Sequence, residues 1–263
     1  MGIYIAAAIS TVLGIWFYRT LARQFAKLNR DLLIIFGIAL PLSPVVNLLV
    51  KRPLINYLRS VWGFGSSPHL WPWWFALIAL GIVGVSEESI KLLPLLWRPA
   101  RARVVERSGV AALAMVIGLA FGIGEAWFIA WGIHRTQPQI AQLPFYKLTG
   151  FIGERVLAMV IHSILIGLPI SGFLLSRGRI AQRLTAAMGL HSIVDLGPML
   201  FQCGYISAGP TLALLFLTVF PLLKRSVNYL DPLLQSSRKH SLEAGRVMFV
   251  RSNQDRGSAP PGD

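Results

Sequence analysis

"VSEESIKLL", residues 85–93, places two glutamates and a lysine inside a run that is otherwise apolar from Trp71 to Trp97. A helix over those residues covers about 40 Å at about 1.5 Å per residue, enough to cross a bilayer with tilt. Trp71, Trp73 and Trp74 at one end and Trp97 at the other have the placement of an aromatic belt. Glu87 and Glu88 then fall near the middle of the span. An ionised side chain at that depth costs at least about 2.5–3.5 kcal/mol on insertion scales, so it requires a partner charge or a wet cavity.

The rest of the chain has the same character. It is 54% hydrophobic and only 14% charged. Six further stretches read as spans: Ile3–Tyr18, Leu32–Val50, Gly109–Ile133, Val156–Ser176, Ala181–Phe201 and Cys203–Leu223. The expectation is an all-α, polytopic transmembrane helix bundle of about seven spans. Residues 1–223 form its membrane domain, and 224–263 form a basic cytoplasmic tail. The tail's end, "SNQDRGSAPPGD", has the composition of a disordered terminus. The shortness of the first stretch and Pro41 and Pro44 in the second count against those two as spans.

The net charge of +14 reads as orientation. With the N-terminus outside, eighteen of the 25 basic residues fall on cytoplasmic segments. Six fall on outside segments: Lys51, Arg52, Arg59, Arg135, Lys147 and Arg155. This is the positive-inside pattern, with anionic-lipid contact as its consequence. A nucleic-acid role needs a basic face with aromatic platforms outside the membrane, and none is present. The first apolar stretch has no basic residue before it and four after it, the reverse of a cleavable signal peptide, so it reads as a retained span with its N-terminus outside. The single cysteine, Cys203, excludes an intramolecular disulfide.

The rare charges are concentrated. Of 11 acidic residues, five lie within or at the edge of spans: Glu87, Glu88, Glu125, Glu154 and Asp195. His162 and His191 join them. Helical spacing groups these residues. Glu87 and Lys91 are four apart, Glu88 and Lys91 three apart, so either glutamate can pair with the lysine. His191 and Asp195 are four apart and share a face, as do Arg155 and His162 at seven. Gly118, Gly122 and Gly124 allow close helix approach beside Glu125. Taken singly, each group also suits packing: a buried ion pair at Glu87/Glu88/Lys91, a core hydrogen bond at His191/Asp195, snorkelling at Glu154/Arg155 and ring packing at Phe121. Their combination on four consecutive spans points to chemistry.

"EESIK" (87–91) and "FGIGE" (121–125) resemble the EExxK and FxxxE motifs of the PrsW family of intramembrane proteases. "RVLAMVIHSILIG" (155–167) and "LHSIVD" (190–195) are similar to that family's histidine-bearing helices. The related YhfC family has similar "GE" and "ERxLAxxxH" stretches, and both stand beside the CAAX prenyl endopeptidases. The likeness covers about residues 71–201. The CAAX enzymes usually have histidine where Glu125 stands, which points away from a prenyl-protein substrate. The resemblance implies a multi-pass protein of a bacterial-type plasma membrane that cleaves a membrane-embedded protein or peptide.

Peptide hydrolysis needs an activated water and a stabiliser for the oxyanion. Glu87 or Glu88 is the expected general base, with Glu87 favoured by analogy with the CAAX enzymes. Lys91 orients or neutralises the other glutamate. His162 and His191 hold the water or polarise the carbonyl, Asp195 fixes a histidine tautomer, Glu125 shares a proton or contacts the water, and Arg155 supports. No cofactor is expected, since no HExxH is present; zinc on the histidines and carboxylates is the alternative. A proton- or ion-coupled transporter is the rival class, because buried acids and histidines also build proton relays.

Overall fold

The apolar runs fold as helices, and all regular structure among the described residues is helical. In this computed structural model those residues are 1–22, 29–105, 107–174, 177–222 and 224. Met1–Leu223 form one compact unit. The tail expected at 224–263 lies outside the described residues apart from Lys224. The helices are α1 Gly2–Ala22, α2 Arg30–Ala39, α3 Leu42–Val46, α4 Arg52–Val61, α5 Trp73–Ile90, α6 Arg98–Ala102, α7 Arg107–Thr136, α8 Pro138–Ala141, α9 Thr149–Gly172 and α10 Arg177–Gln202. A last apolar helix, α11, covers Ala208–Leu222. Among the described residues, five stretches are long and apolar enough to cross a membrane: Gly2–Thr20, Arg30–Val61, Ser108–Thr136, Phe145–Gly172 and Arg179–Gln202.

α7 packs most extensively against α9, and α10 packs against both α5 and α9. Glycines set those distances. A Cβ on Gly118 would stand 2.2 Å from the backbone nitrogen of Ser163, and one on Gly84 would stand 2.6 Å from the carbonyl of Met188. The helices therefore touch backbone to backbone, as small residues permit within a bilayer. The main apolar core joins α2, α3 and α7 with Ile166 and Ile170 of α9.

Two spans differ from expectation. The run from Trp71 to Trp97 is not one helix. α5 starts after Pro72 and stops at Lys91, and a 3₁₀ turn, Leu93–Leu96, and the short α6 come after it. Pro94 has no N–H for the carbonyl of Ile90 and its ring crowds that carbonyl, so the helix cannot continue. Glu87 and Glu88 thus occupy the last turn of α5 rather than its middle.

The second span does not end at Val50. It continues to Val61, broken at Leu40–Pro41 and widened into a π-turn at Asn47–Lys51. Pro53 lacks an N–H and crowds the carbonyl of Leu49; the π-turn, with the Arg52 N–H bonded to the Asn47 carbonyl, accommodates it. Lys51 therefore lies within this long apolar stretch rather than beyond its end.

One end of the bundle is marked by two contacts. The Met1 amino group donates to the carbonyl of Ala141 at 3.2 Å, and the Tyr205 hydroxyl donates to the carbonyl of Trp71 at 2.8 Å. Trp62, Phe64, Trp71 and Trp74 gather round Phe75 at that end. Counting along each axis from this end at about 1.5 Å per residue, Glu87 and His162 lie about 20 Å in and Glu125 and His191 about 17 Å in. The end of α5 therefore reaches the same level as the midpoints of its neighbours.

Candidate active site

At that level five helical segments deliver charged side chains to one place. The Lys91 ammonium, fully buried, donates to Glu88 Oε1 at 2.5 Å and to His162 Nδ1 at 2.9 Å. An ammonium has no acceptor, so His162 Nδ1 carries the lone pair and Nε2 carries the proton. Nε2 then donates to Glu125 Oε2 at 3.2 Å, and the same oxygen accepts from Arg155 Nη1 at 3.0 Å. Arg155 also bonds Glu154. Phe121 closes this side: its ring meets His162 edge-on, with centroids 4.9 Å apart, and lies 4.7 Å under the Lys91 nitrogen.

His191 completes the other side. Its Nδ1 donates to Glu88 Oε1 at 2.5 Å and its Nε2 faces Asp195 Oδ2 at 3.2 Å. Both neighbours are carboxylates, so both ring nitrogens donate, which is the imidazolium form. Nε2 also lies 3.6 Å from Glu87 Oε2, beyond hydrogen-bond length. The other oxygen of Glu87 accepts from Lys51. Glu87 Oε2 and Glu88 Oε2 are buried without a hydrogen-bond partner among the described residues.

The groups expected from spacing come together here. Glu87, Glu88, Glu125, His162, His191 and Asp195 converge, with Lys91 and Arg155 among them. Lys91 pairs with Glu88 at three residues, not with Glu87 at four. Arg155 does not snorkel at an interface. α9 begins a turn and a half earlier, at Thr149, and Arg155 is buried against Glu125. Its neighbour Glu154 keeps 52% of its side chain exposed. The spacings His191/Asp195 and Arg155/His162 do bring each pair onto a shared face, the second pair onto one Glu125 oxygen.

Lys51 was missed, and its side chain is only 12% exposed. It stands where an apolar run meets a Lys-Arg-Pro, which reads as a flanking loop. The signal that it lies within a span is the amphipathic continuation through Leu54, Ile55, Leu58 and Val61.

A cavity of about 80 Å³ adjoins the cluster, room for a few water molecules. Its polar wall is Glu125, Glu154, Arg155, His162, His191 and Asp195, and apolar side chains of α9, α10 and α11 form the rest. Asp195 is 39% exposed. Glu87 is not among the residues that line it.

A metal has one geometric opportunity among the described residues. Glu87, His162 and His191 each offer a ligand atom, all within 4.8 Å of one another. As hydrogen-bonded here, however, the one lone pair on His162 is taken by Lys91, and His191 donates from both nitrogens. A metal ligand must be a neutral imidazole with a free lone pair, so zinc would have to displace those bonds.

No family model, curated protein or solved structure matches this chain.

Proposed function

We propose that the chain is an intramembrane endopeptidase of the PrsW/YhfC type its motifs resemble, hydrolysing a peptide bond of a membrane-embedded protein with a glutamate-activated water. One observation carries the reading. Glu87, His162 and His191, from three separate helices, bring a carboxylate and two imidazoles within 4.8 Å of one another, and the partnerless Glu87 Oε2 lies 3.6 Å from His191 Nε2, at mid-depth and beside a cavity.

Glu87 is the better base of the two glutamates. Glu88 Oε1 accepts from both Lys91 and His191, which fixes it as a structural anion. Both glutamates leave Oε2 without a partner among the described residues, but Glu87 takes a single donor, Lys51, on Oε1, and its Oε2 lies 3.6 Å from His191 Nε2. In the reaction Glu87 Oε2 removes a proton from a water lying between it and the histidines, and the hydroxide adds to the carbonyl carbon. The His191 imidazolium stabilises the oxyanion by its charge, with its Nε2–H moving from Asp195 to the oxyanion as that charge forms. The tetrahedral intermediate collapses as Glu87 returns the proton to the leaving amine, giving a new carboxylate end and a new amine end. Asp195 orients His191, and Glu125 with Arg155 orients His162.

Topology belongs to the same proposal. Seven crossings arise if α5 and α11 span together with the five longer stretches, which puts the N-terminus outside and the C-terminus inside a bacterial-type plasma membrane. Taking the buried Lys51 and Arg155 out of the outside group leaves four basic residues there and strengthens the bias.

The test compares membrane proteomes of cells carrying the wild-type chain and Glu87→Ala, then measures cleavage of single-span membrane proteins in vesicles. Accumulation of a full-length substrate with Glu87→Ala supports the reading. Cleavage is expected to survive strong chelation; loss restored by zinc would replace the metal-free mechanism with a zinc one. A pH-dependent ion flux from every preparation, with no cleaved product from any substrate, would make the protein a transporter and end the endopeptidase reading.

A further inference from the structure

We propose that Lys51 is a positioning residue of this site: its ammonium, delivered by the π-turn of the second span, holds Glu87 so that one oxygen is anchored and the other is presented to the histidines. The inference rests on the endopeptidase reading and adds the residue that makes two adjacent glutamates unequal.

Glu87 and Glu88 are neighbours in sequence, both buried in the last turn of α5, yet their surroundings differ. Residues one apart on a helix point about 100° apart. Glu88 turns toward α9 and α10, where Lys91 and His191 meet its Oε1. Glu87 turns toward the second span, and only Lys51 meets its Oε1. No other lysine or arginine among the described residues makes an ion pair with Glu87. Without Lys51 the carboxylate keeps only the His191 ring, 3.6 Å away and shared with Glu88 and Asp195, and no hydrogen bond fixes the angle at which Oε2 faces it.

The backbone around Lys51 is built for this placement. An α-helical second span carries each residue about 100° further round the axis; the extra residue of the π-turn re-aims the side chains beyond it. Irregular backbone at membrane depth is tolerated where it is buried in protein or lines a cavity, and π-turns occur frequently at functional sites. Gly124 lets α7 approach this span: a Cβ there would stand 2.0 Å from the Leu40 carbonyl oxygen and 3.5 Å from Pro44. The broken segment is thereby pressed against the helix that carries Glu125. Lys51 is thus held from the backbone side and the carboxylate side at once.

The experiment uses the full-length protein in two formats. In detergent, a double-mutant cycle by thermal unfolding pairs Lys51→Met with Glu87→Gln, and in parallel Lys91→Met with Glu87→Gln. Coupling is expected in the first cycle and not in the second. In vesicles, the single-span reporter that wild type cleaves fastest is used for kinetics. Lys51→Met is expected to lower kcat about 10²-fold, the size of effect a small displacement of a reacting group produces, with KM unchanged. Lys51→Arg, which retains a charged donor, should recover part of the loss. If Lys51→Met does not accumulate, Lys51→Gln decides, because it keeps a donor and loses the charge; it should show the same fall in kcat at constant KM. Wild-type kcat in the uncharged variant, or a rise in KM alone, overturns the positioning role. If wild type cleaves no reporter, the endopeptidase reading fails and the positioning role with it. Coupling in the first cycle would then still report the Lys51–Glu87 pair, which separates the two failures.

Discussion

α7 and α9 carry Glu125, Arg155 and His162 on unbroken helices, whereas Lys51 and Glu87 come from a widened turn and a helix end. The two halves bring charge to the same depth by different means. On the continuous side the cost of burial is met by shared ligation: one Glu125 oxygen accepts from Arg155 and from His162, and glycine contacts hold the helices at the distance this requires. On the broken side each partner approaches from its own segment, one pair at a time, and one oxygen of Glu87 is left over. The contrast teaches that continuous helices share one acceptor between two donors, while the helix end of α5 leaves one oxygen of each of its two adjacent glutamates without a partner among the described residues. Unpartnered buried polar atoms are rare in native structures, and two of those found among the described residues are the adjacent Glu87 and Glu88 oxygens.

The largest expected effect breaks that contrast at its sharpest point. Glu87→Gln should accumulate in membranes and lose cleavage by about 10²–10⁴-fold, the range for a general base. Glu88→Gln should act differently. It leaves Lys91 buried without a counter-charge, and breaking a buried pair by removing one partner costs about 3–5 kcal/mol. A thermal melt in detergent should therefore fall further for Glu88→Gln, whose partner Lys91 is fully buried, than for Glu87→Gln, whose partner Lys51 keeps 12% of its side chain exposed. If the pattern reverses, Glu88 is the base and Glu87 the structural anion.

The next effect tests the continuous side. Gly118→Ala introduces a Cβ 2.2 Å from the Ser163 nitrogen and 2.3 Å from its Cα. Backbone cannot swing away as a side chain can, so α7 and α9 must part. Overpacking of this kind costs about 1–3 kcal/mol, and it displaces His162 one residue from Ser163. Gly153→Ala, on α9 with no atom within 4 Å of the added carbon, should melt at or above the wild-type temperature, since alanine is favoured over glycine in helices by about 1 kcal/mol. Equal melting of the two variants would mean that α7 and α9 are not locked by their glycines.

The sequence made some of this legible and hid the rest for a physical reason. Spacing within one helix is local, so the His191–Asp195 and Arg155–His162 pairs arise from periodicity alone. Five of the seven apolar runs overlap stretches that are long and apolar enough to cross a membrane among the described residues, because length and hydropathy are properties that any window reveals; the runs Trp71–Trp97 and Cys203–Leu223 contain shorter helices, α5 and α11. The choice between Glu87 and Glu88 for Lys91 was open, since both spacings suit a helix. Contacts between α5 and the second span settle it, and these leave no trace in either segment's own pattern. Lys51 was hidden by its position at the end of an apolar run, where a basic residue normally marks a membrane flank. The end of α5 was hidden because Pro94 sits among leucines and tryptophans that continue the hydropathy past the point where the backbone stops.

The smallest effect probes the turn that brings Lys51 inward. Pro53 withholds an N–H from the carbonyl of Leu49 and crowds it, and the π-turn at Asn47–Lys51 is the accommodation. In Pro53→Ala that N–H returns, and the span can close toward a regular helix. The gained hydrogen bond is worth about 0.5–1.5 kcal/mol, so the melting temperature should rise or stay level. Losing the extra residue of the turn rotates neighbouring side chains and carries Lys51 off Glu87. Cleavage should then fall by about 10-fold, a loss of about 1.4 kcal/mol of transition-state stabilisation. A variant that is more stable and less active is the trade-off expected where irregular backbone serves a site. Full activity alongside a raised melting temperature would mean that Lys51 reaches Glu87 from a regular helix as well, and the difference between the broken and continuous halves would then be one of shape and not of function.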